Sequence, residues 1–113
     1  MKLSDLIKIL DALFSAQDAW ENDNTGFQAG WLDRDVKKIL VTLDITNAAI
    51  DEAISCGANL ILSHHPLIFE PLYSITSDDP AGAKMLKLIE NRISVYIAHT
   101  NYDAMKGGLN DLV

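Results

Sequence analysis

The chain has 113 residues, 49% of them apolar and 22% charged, with 16 acidic against 9 basic side chains and a formal net charge of −7. This size and mix suit one globular core and exclude a disordered chain, and the acid excess argues against a nucleic-acid or anionic-membrane partner. The lone Cys56 excludes an internal disulfide and a cysteine-rich zinc site, suits a reducing, cytoplasmic compartment, and reads as a small buried residue late in a helix.

Leu3, Leu6, Ile7, Leu10, Leu13 and Phe14 recur at three- and four-residue spacing, which predicts an opening helix with one apolar face. Asp5, Lys8 and Asp11 interrupt that pattern, so it is read neither as a signal peptide nor as a membrane span. Ala19 to Trp31, with Gly26, Gly30 and a polar run from Glu21 to Thr25, predicts turns or a short hairpin.

Lys38 to Ile45 is dense in aliphatic and β-branched residues with almost no polar alternation, which predicts a strand covered on both faces. Thr46 or Asn47 can cap the helix that follows, Ile50, Ala53 and Ile54 form its apolar face, and Gly57 can end it in left-handed conformation. Asn59 to Ser63 supplies the next strand, so the intervening residues form a βαβ crossover. Asp79-Pro80 signals a second helix start, with Met85, Leu88 and Ile89 on its buried face and Arg92 near its end complementing the dipole.

Ile93 to Ala98 gives a third strand, and the order strand, helix, strand, helix, strand predicts an α/β fold: a parallel sheet built from βαβ units with helices packed on it. Gly107 and Gly108 precede Leu109 to Val113, which reads as the start of another helix. No internal repeat or low-complexity linker interrupts the chain.

In open parallel sheets, ligands bind beyond the carboxyl ends of the strands. Asp44 closes the first of these strands, His64 and His65 follow the second, and His99 and Asp103 the third, so all three histidines converge on one rim. Pro66 restrains His65 toward extended geometry. Neighbours in a regular strand point to opposite faces, which argues for two ions rather than one, with a carboxylate such as Asp103 completing the pair. Imidazole and carboxylate donors suit zinc, manganese, iron or nickel. The metal ligands expected are therefore His64, His65 and Asp103, with Asp44 and His99 behind them. The alternative is that the histidines merely cap strand ends by hydrogen bonding to backbone. No Gly-rich phosphate loop or nucleophile elbow occurs.

Several consecutive stretches resemble the YbgI-like proteins, also called NGG-one-interacting factor three and known as GTP cyclohydrolase I type 2 homologues. They are Asn24-Thr25-Gly26-Phe27-Gln28-Ala29-Gly30, Val41-Thr42-Leu43-Asp44-Ile45-Thr46, Ser63-His64-His65-Pro66-Leu67-Ile68-Phe69, His99-Thr100-Asn101-Tyr102-Asp103 and Gly107-Gly108-Leu109-Asn110-Asp111. The resemblance implies that residues 1–113 are the amino-terminal α/β metal-binding domain of a larger two-lobed fold. It also implies a two-metal site with ligands at His64, His65 and Asp103, completed by a His-x-x-x-Glu helix near the family's carboxyl end that this chain lacks. Glu21 to Thr25 departs from the family's Trp-Asp-Asn-x-Gly pattern by two extra residues.

The function implied is a two-metal hydrolase acting on a nucleotide-like or heterocyclic substrate. The alternative is a non-catalytic, metal-dependent regulatory or interaction protein in a ring-shaped homo-oligomer, hexameric in the family.

Overall fold

The computed structural model describes residues 1–13, 26–68 and 72–98. In chain order they form α1 (Leu3–Leu13), β1 (Gly26–Ala29), β2 (Ile39–Thr42), α2 (Asn47–Cys56), β3 (Leu60–Ser63), α3 (Pro80–Glu90) and β4 (Ser94–Ile97). The four strands lie in the order β1-β4-β3-β2. β2, β3 and β4 are parallel neighbours, whereas β1 runs antiparallel to β4. The α/β class and the two βαβ units are those the sequence predicts. The fourth strand is a departure: the residues expected to form turns or a local hairpin instead add an antiparallel edge to a partner some seventy positions away.

Local chemistry fixes the helix ends. Thr46 Oγ1 accepts from the Ala49 N–H at 3.0 Å, which satisfies one of the orphan donors at the start of α2. At the other end Gly57 sits at φ 79°, and the Ala58 N–H reaches the Ala53 carbonyl at 2.9 Å. Asp79 Oδ2 caps α3 through the Gly82 N–H at 2.9 Å, with Pro80 as its first residue. The same closing motif ends α3, where the Ile93 N–H reaches the Leu88 carbonyl at 2.9 Å, but the left-handed position is held by Arg92 at φ 57°. Lys38 Nζ donates to the Cys56 carbonyl at 2.9 Å. Lys38 and Arg92 thus stand at the negative ends of two neighbouring helix dipoles.

The alternation of side chains along each strand sorts the core into two layers. Ile61, Val95 and Ile97 join Ile45, Ile50, Ala53, Ala58, Leu88 and Ile93 beneath α2 and α3. Leu60, Tyr96 and Ala98 join Leu3, Ile7 and Leu10 beneath α1. Ile50 and Leu88 are wholly buried, each contributing about 1.5–3 kcal/mol over an exposed side chain. Lys87 pairs with Asp51 across the two helices.

Three sequence expectations need correction. β2 is not covered on both faces: it is the outer strand of the described sheet, and Val41 within it and Leu43 just beyond it are 71% and 56% exposed. Cys56 is exposed, because it lies at the last turn of α2 beyond the buried stripe, its thiol 3.6 Å from the Ala53 carbonyl. Leu13, Ile54 and Ile89 lie at the margins of their helix faces and stay exposed; Phe14 lies outside the described residues.

Tyr96 ties the layers together. It is fully buried in β4, and its hydroxyl donates to Asp11 Oδ1 of α1 at 2.7 Å. Burial first, and then the hydrogen bond and negative charge of Asp11, hold this phenol well above the usual tyrosine range. In the unfolded chain the phenol ionises near pH 10, so its contribution is full below about pH 10 and is lost as the pH rises toward the folded value. Tyr96→Phe should cost about 0.5–1.5 kcal/mol at neutral pH and flatten the alkaline fall in stability. Urea melts from about pH 8 to about pH 11 check it, and an alkaline slope unchanged by the substitution would contradict the assignment.

Candidate functional site

β2, β3 and β4 pair in register, Thr42 beside Ser63 and Ser63 beside Ile97, so the three strands end at one level. The residues they release share that edge: Asp44 after β2, His64 and His65 after β3, and Ala98 after β4. His99 and Asp103 lie outside the described residues, as do Glu21 to Thr25, Gly107 and Gly108.

Backbone pairing continues past the strand ends. The His64 N–H donates to the Thr42 carbonyl at 3.2 Å, the His65 N–H to that of Leu43 at 2.9 Å, and the Ala98 N–H to that of Ser63 at 2.9 Å. Ser63 is 2% exposed, and its Oγ lies 3.2 Å from the Leu43 carbonyl and 2.9 Å from the His65 carbonyl. Thr42 Oγ1 donates to the Asp44 carbonyl at 3.0 Å. These short-range ties set the turn on both chains as they leave the sheet.

The two imidazoles stand side by side, with ring centroids 4.9 Å apart and planes inclined at 56°. Strand alternation would have sent them to opposite faces. It does not apply here, because β3 stops at Ser63 and both histidines lie in the bend beyond it.

His64 Nδ1 lies 3.3 Å from the Ala98 carbonyl oxygen, and His65 Nδ1 lies 2.5 Å from Asp44 Oδ1. A carbonyl and a carboxylate only accept, so in each ring Nδ1 is the donor, and the lone pair of the neutral form falls on Nε2. The His65 and Asp44 side chains are 44% and 53% exposed. A pair so accessible to water is worth about 1 kcal/mol or less in stability, so its main effect is on ring orientation and tautomer. Among the described residues, no group of three or more His, Cys, Asp or Glu side chains could hold an ion alone. His64 and His65 are therefore at most part of a ligand set.

A cleft of about 480 Å³ opens at the opposite edge of the sheet, lined by Arg34, Lys37, Asn59, Asn91 and Arg92 among others. It holds no histidine, and cations there complement the carboxyl ends of α2 and α3. The histidine edge is the chemically richer of the two. One contributor to it has no role in the sequence reading: Gln28 of β1 reaches the backbone just after Pro66. The available signals were its place in the family-like stretch Asn24 to Gly30 and its being the one amide side chain in the strand Gly26–Ala29.

Comparison with known proteins shows which chains this one is similar to. The family model Duf34/NIF3 (NGG1p interacting factor 3) matches residues 1–113. A Clostridium perfringens protein named GTP cyclohydrolase 1 type 2 homolog is 45% identical over 111 residues, covering 98% of this chain and 42% of that protein. The crystal structure of a Bacillus cereus protein related to NIF3 superposes with a TM-score of 0.92 at 43% identity, covering 99% of this chain and 31% of the other. Reduced HcgD from Methanocaldococcus jannaschii gives a TM-score of 0.89 at 37% identity, over 98% of this chain and 44% of that one. The chain thus spans less than half the length of these relatives.

If Asp44 sets the tautomer of His65, Asp44→Ala should shift the His65 ring from the Nδ1–H form toward the Nε2–H form. Stability should change by about 1 kcal/mol or less. Nitrogen-15 NMR of the imidazoles reads this directly, and identical ring signals in the two proteins would refute it.

Proposed function

The chain belongs to the Duf34/NIF3 family across residues 1–113, and from that premise we propose that His64 and His65 ligate divalent metal ions through Nε2, with Asp103 as a further ligand. The centre serves a metal-dependent hydrolase acting on a nucleotide-like or heterocyclic substrate. One observation carries the reading: two adjacent imidazoles, 4.9 Å apart, each with Nδ1 directed at an acceptor from a different neighbouring strand end.

The donor set fits such ions. Metal-bound histidine characteristically gives its other ring N–H to a carboxylate or a backbone carbonyl, the two partners that His65 and His64 have in Asp44 and Ala98. Neutral imidazole with carboxylate suits zinc, manganese, iron or nickel and does not suit a calcium cage. When bound, paired ions of this kind supply Lewis-acid polarisation of the substrate and lower the pKa of water.

The chain's own residues orient and hold. Asp44 fixes the proton of His65 on Nδ1, and the Ala98 carbonyl does the same for His64. Ser63, buried below, holds the turn that carries both rings. The same reading gives His99, next in sequence after Ala98, the role of orienting a ligand. The remaining ligands belong to the His-x-x-x-Glu helix implied by the family resemblance. The substrate class is supported by the name of the relatives, GTP cyclohydrolase 1 type 2 homologs.

Zn²⁺ or Mn²⁺ at a hundredfold excess over its dissociation constant should stabilise the native chain by about 2.7 kcal/mol, and His65→Ala should abolish the shift. Thermal melts with each metal measure it. A wild-type melting point indifferent to both metals would overturn the reading. A metal-dependent shift and chelator-sensitive self-association, without turnover of nucleotides or phosphoesters by the metal-loaded protein, would instead favour a non-catalytic assembly.

A further inference from the structure

β1 pairs Phe27 with Tyr96 but Ala29 with Val95, so the register slips by one and Gln28 is the extra residue of a bulge. A bulge re-aims the side chain it carries. Here Gln28 Oε1 accepts from two successive backbone N–H groups, Leu67 and Ile68, each at 3.0 Å. One amide oxygen has two lone pairs and so can serve both.

The location of these bonds matters more than their number. β1 and β2 are the outer strands of the described sheet, with β4 and β3 between them. On one side, the His64 and His65 N–H groups are fixed to Thr42 and Leu43 at the end of β2. On the other, Leu67 and Ile68 are fixed to Gln28 of β1. The segment from His64 to Ile68 therefore runs across the carboxyl end of the sheet and is held at both edges. Between the two anchor points stands Pro66, which offers no N–H and whose ring restricts the backbone of His65. A segment so short and so stiff transmits displacement from one anchor to the other.

The rest of β1 is built to place that amide. Gly30, directly after the strand, has φ 128°, and a Cβ there would collide with Ser94. Glycine at this point lets the chain close against β4, and Ser94 Oγ, itself buried, accepts the next N–H, that of Trp31, at 3.1 Å. Phe27 packs from its side on the layer under α1. The strand is thereby pinned on both sides of Gln28.

We propose that Gln28 is a positioning residue of the histidine site: by capturing the Leu67 and Ile68 amides it sets the path of the chain through Pro66, and with it the orientation of His65. The effect on a bound ion rests on the metal reading given above; the effect on the loop does not. Because Gln28 acts through the backbone and not on a ligand directly, its loss should weaken binding by less than the roughly 10–100-fold typical of removing a ligand's own hydrogen-bond partner.

Three versions of the full chain separate these claims: wild type, Gln28→Leu, which keeps the bulk without the acceptor, and Gln28→Glu, which keeps the acceptor. Amide hydrogen exchange on the metal-free proteins should show the Leu67 and Ile68 N–H groups exchanging about tenfold or more faster in Gln28→Leu, with protection restored in Gln28→Glu. Titration calorimetry with Zn²⁺ should then show weaker binding in Gln28→Leu and wild-type or tighter binding in Gln28→Glu. Should the leucine variant not fold, Gln28→Asn, shorter by one methylene, makes the same comparison. Unchanged amide protection in the leucine or asparagine variant overturns the proposal, as does lost protection with undiminished Zn²⁺ affinity. Zn²⁺ binding that ignores His65→Ala sinks the metal reading instead, and leaves the exchange experiment to judge Gln28 on the loop alone.

Discussion

Three parallel strands that stop at one level determine everything at the carboxyl edge of this sheet. β3 is the middle strand of the parallel set, so a residue released at its end has a neighbour on either side. Two successive histidines use that position in opposite directions: His64 turns its Nδ1 to the Ala98 carbonyl at the end of β4, and His65 turns its Nδ1 to the Asp44 carboxylate at the end of β2. An edge strand could hold only one ring in this way. The in-register ladder is what allows two adjacent side chains to be oriented independently and still stand 4.9 Å apart.

The scaffold beneath is rigid where the edge is polar. Val95, Tyr96 and Ile97 of β4 are wholly buried, two facing α2 and α3 and one facing α1, so the strand that bears Ala98 cannot shift without disturbing both core layers. Each tie at the edge is modest, about 1 kcal/mol or less for the exposed His65–Asp44 pair. Their value lies in geometry, since a site needs its supporting groups locked in place more than it needs them to add stability. The opposite edge has another purpose. There Lys38 and Arg92 meet the carboxyl ends of two helices, and Arg92 takes a left-handed conformation that glycine adopts at the matching position, Gly57.

Much of this was legible in the sequence because the signals were local. Thr46, Gly57, Asp79 and Pro80 act within one helical turn, and each does what its side chain dictates. The strands Leu60–Ser63 and Ser94–Ile97 were legible as short apolar runs between such punctuation. What escaped was non-local. β1 exists only because β4 is available to pair with it, and nothing between Gly26 and Ala29 names that partner. β2 looks apolar enough for the sheet interior, yet its place at the edge depends on strand order, which alternation cannot reveal. At the site, the convergence of Asp44 with His65 followed from strand ends sharing a rim, whereas the side-by-side rings required knowing that β3 stops one residue before His64. Gln28 was hidden for the same reason as β1: its role comes from a bulge whose partner lies far along the chain.

The central claim is that both histidines hold their protons on Nδ1 and present Nε2 to a metal. Nitrogen-15 NMR of the imidazole nitrogens during titration with Zn²⁺ tests it most directly. The account predicts that the Nε2 signals of His64 and His65 move to metal-bound positions while both Nδ1 atoms stay protonated; Nε2 signals unmoved at saturating Zn²⁺, or a metal-bound Nδ1 on either ring, would contradict it.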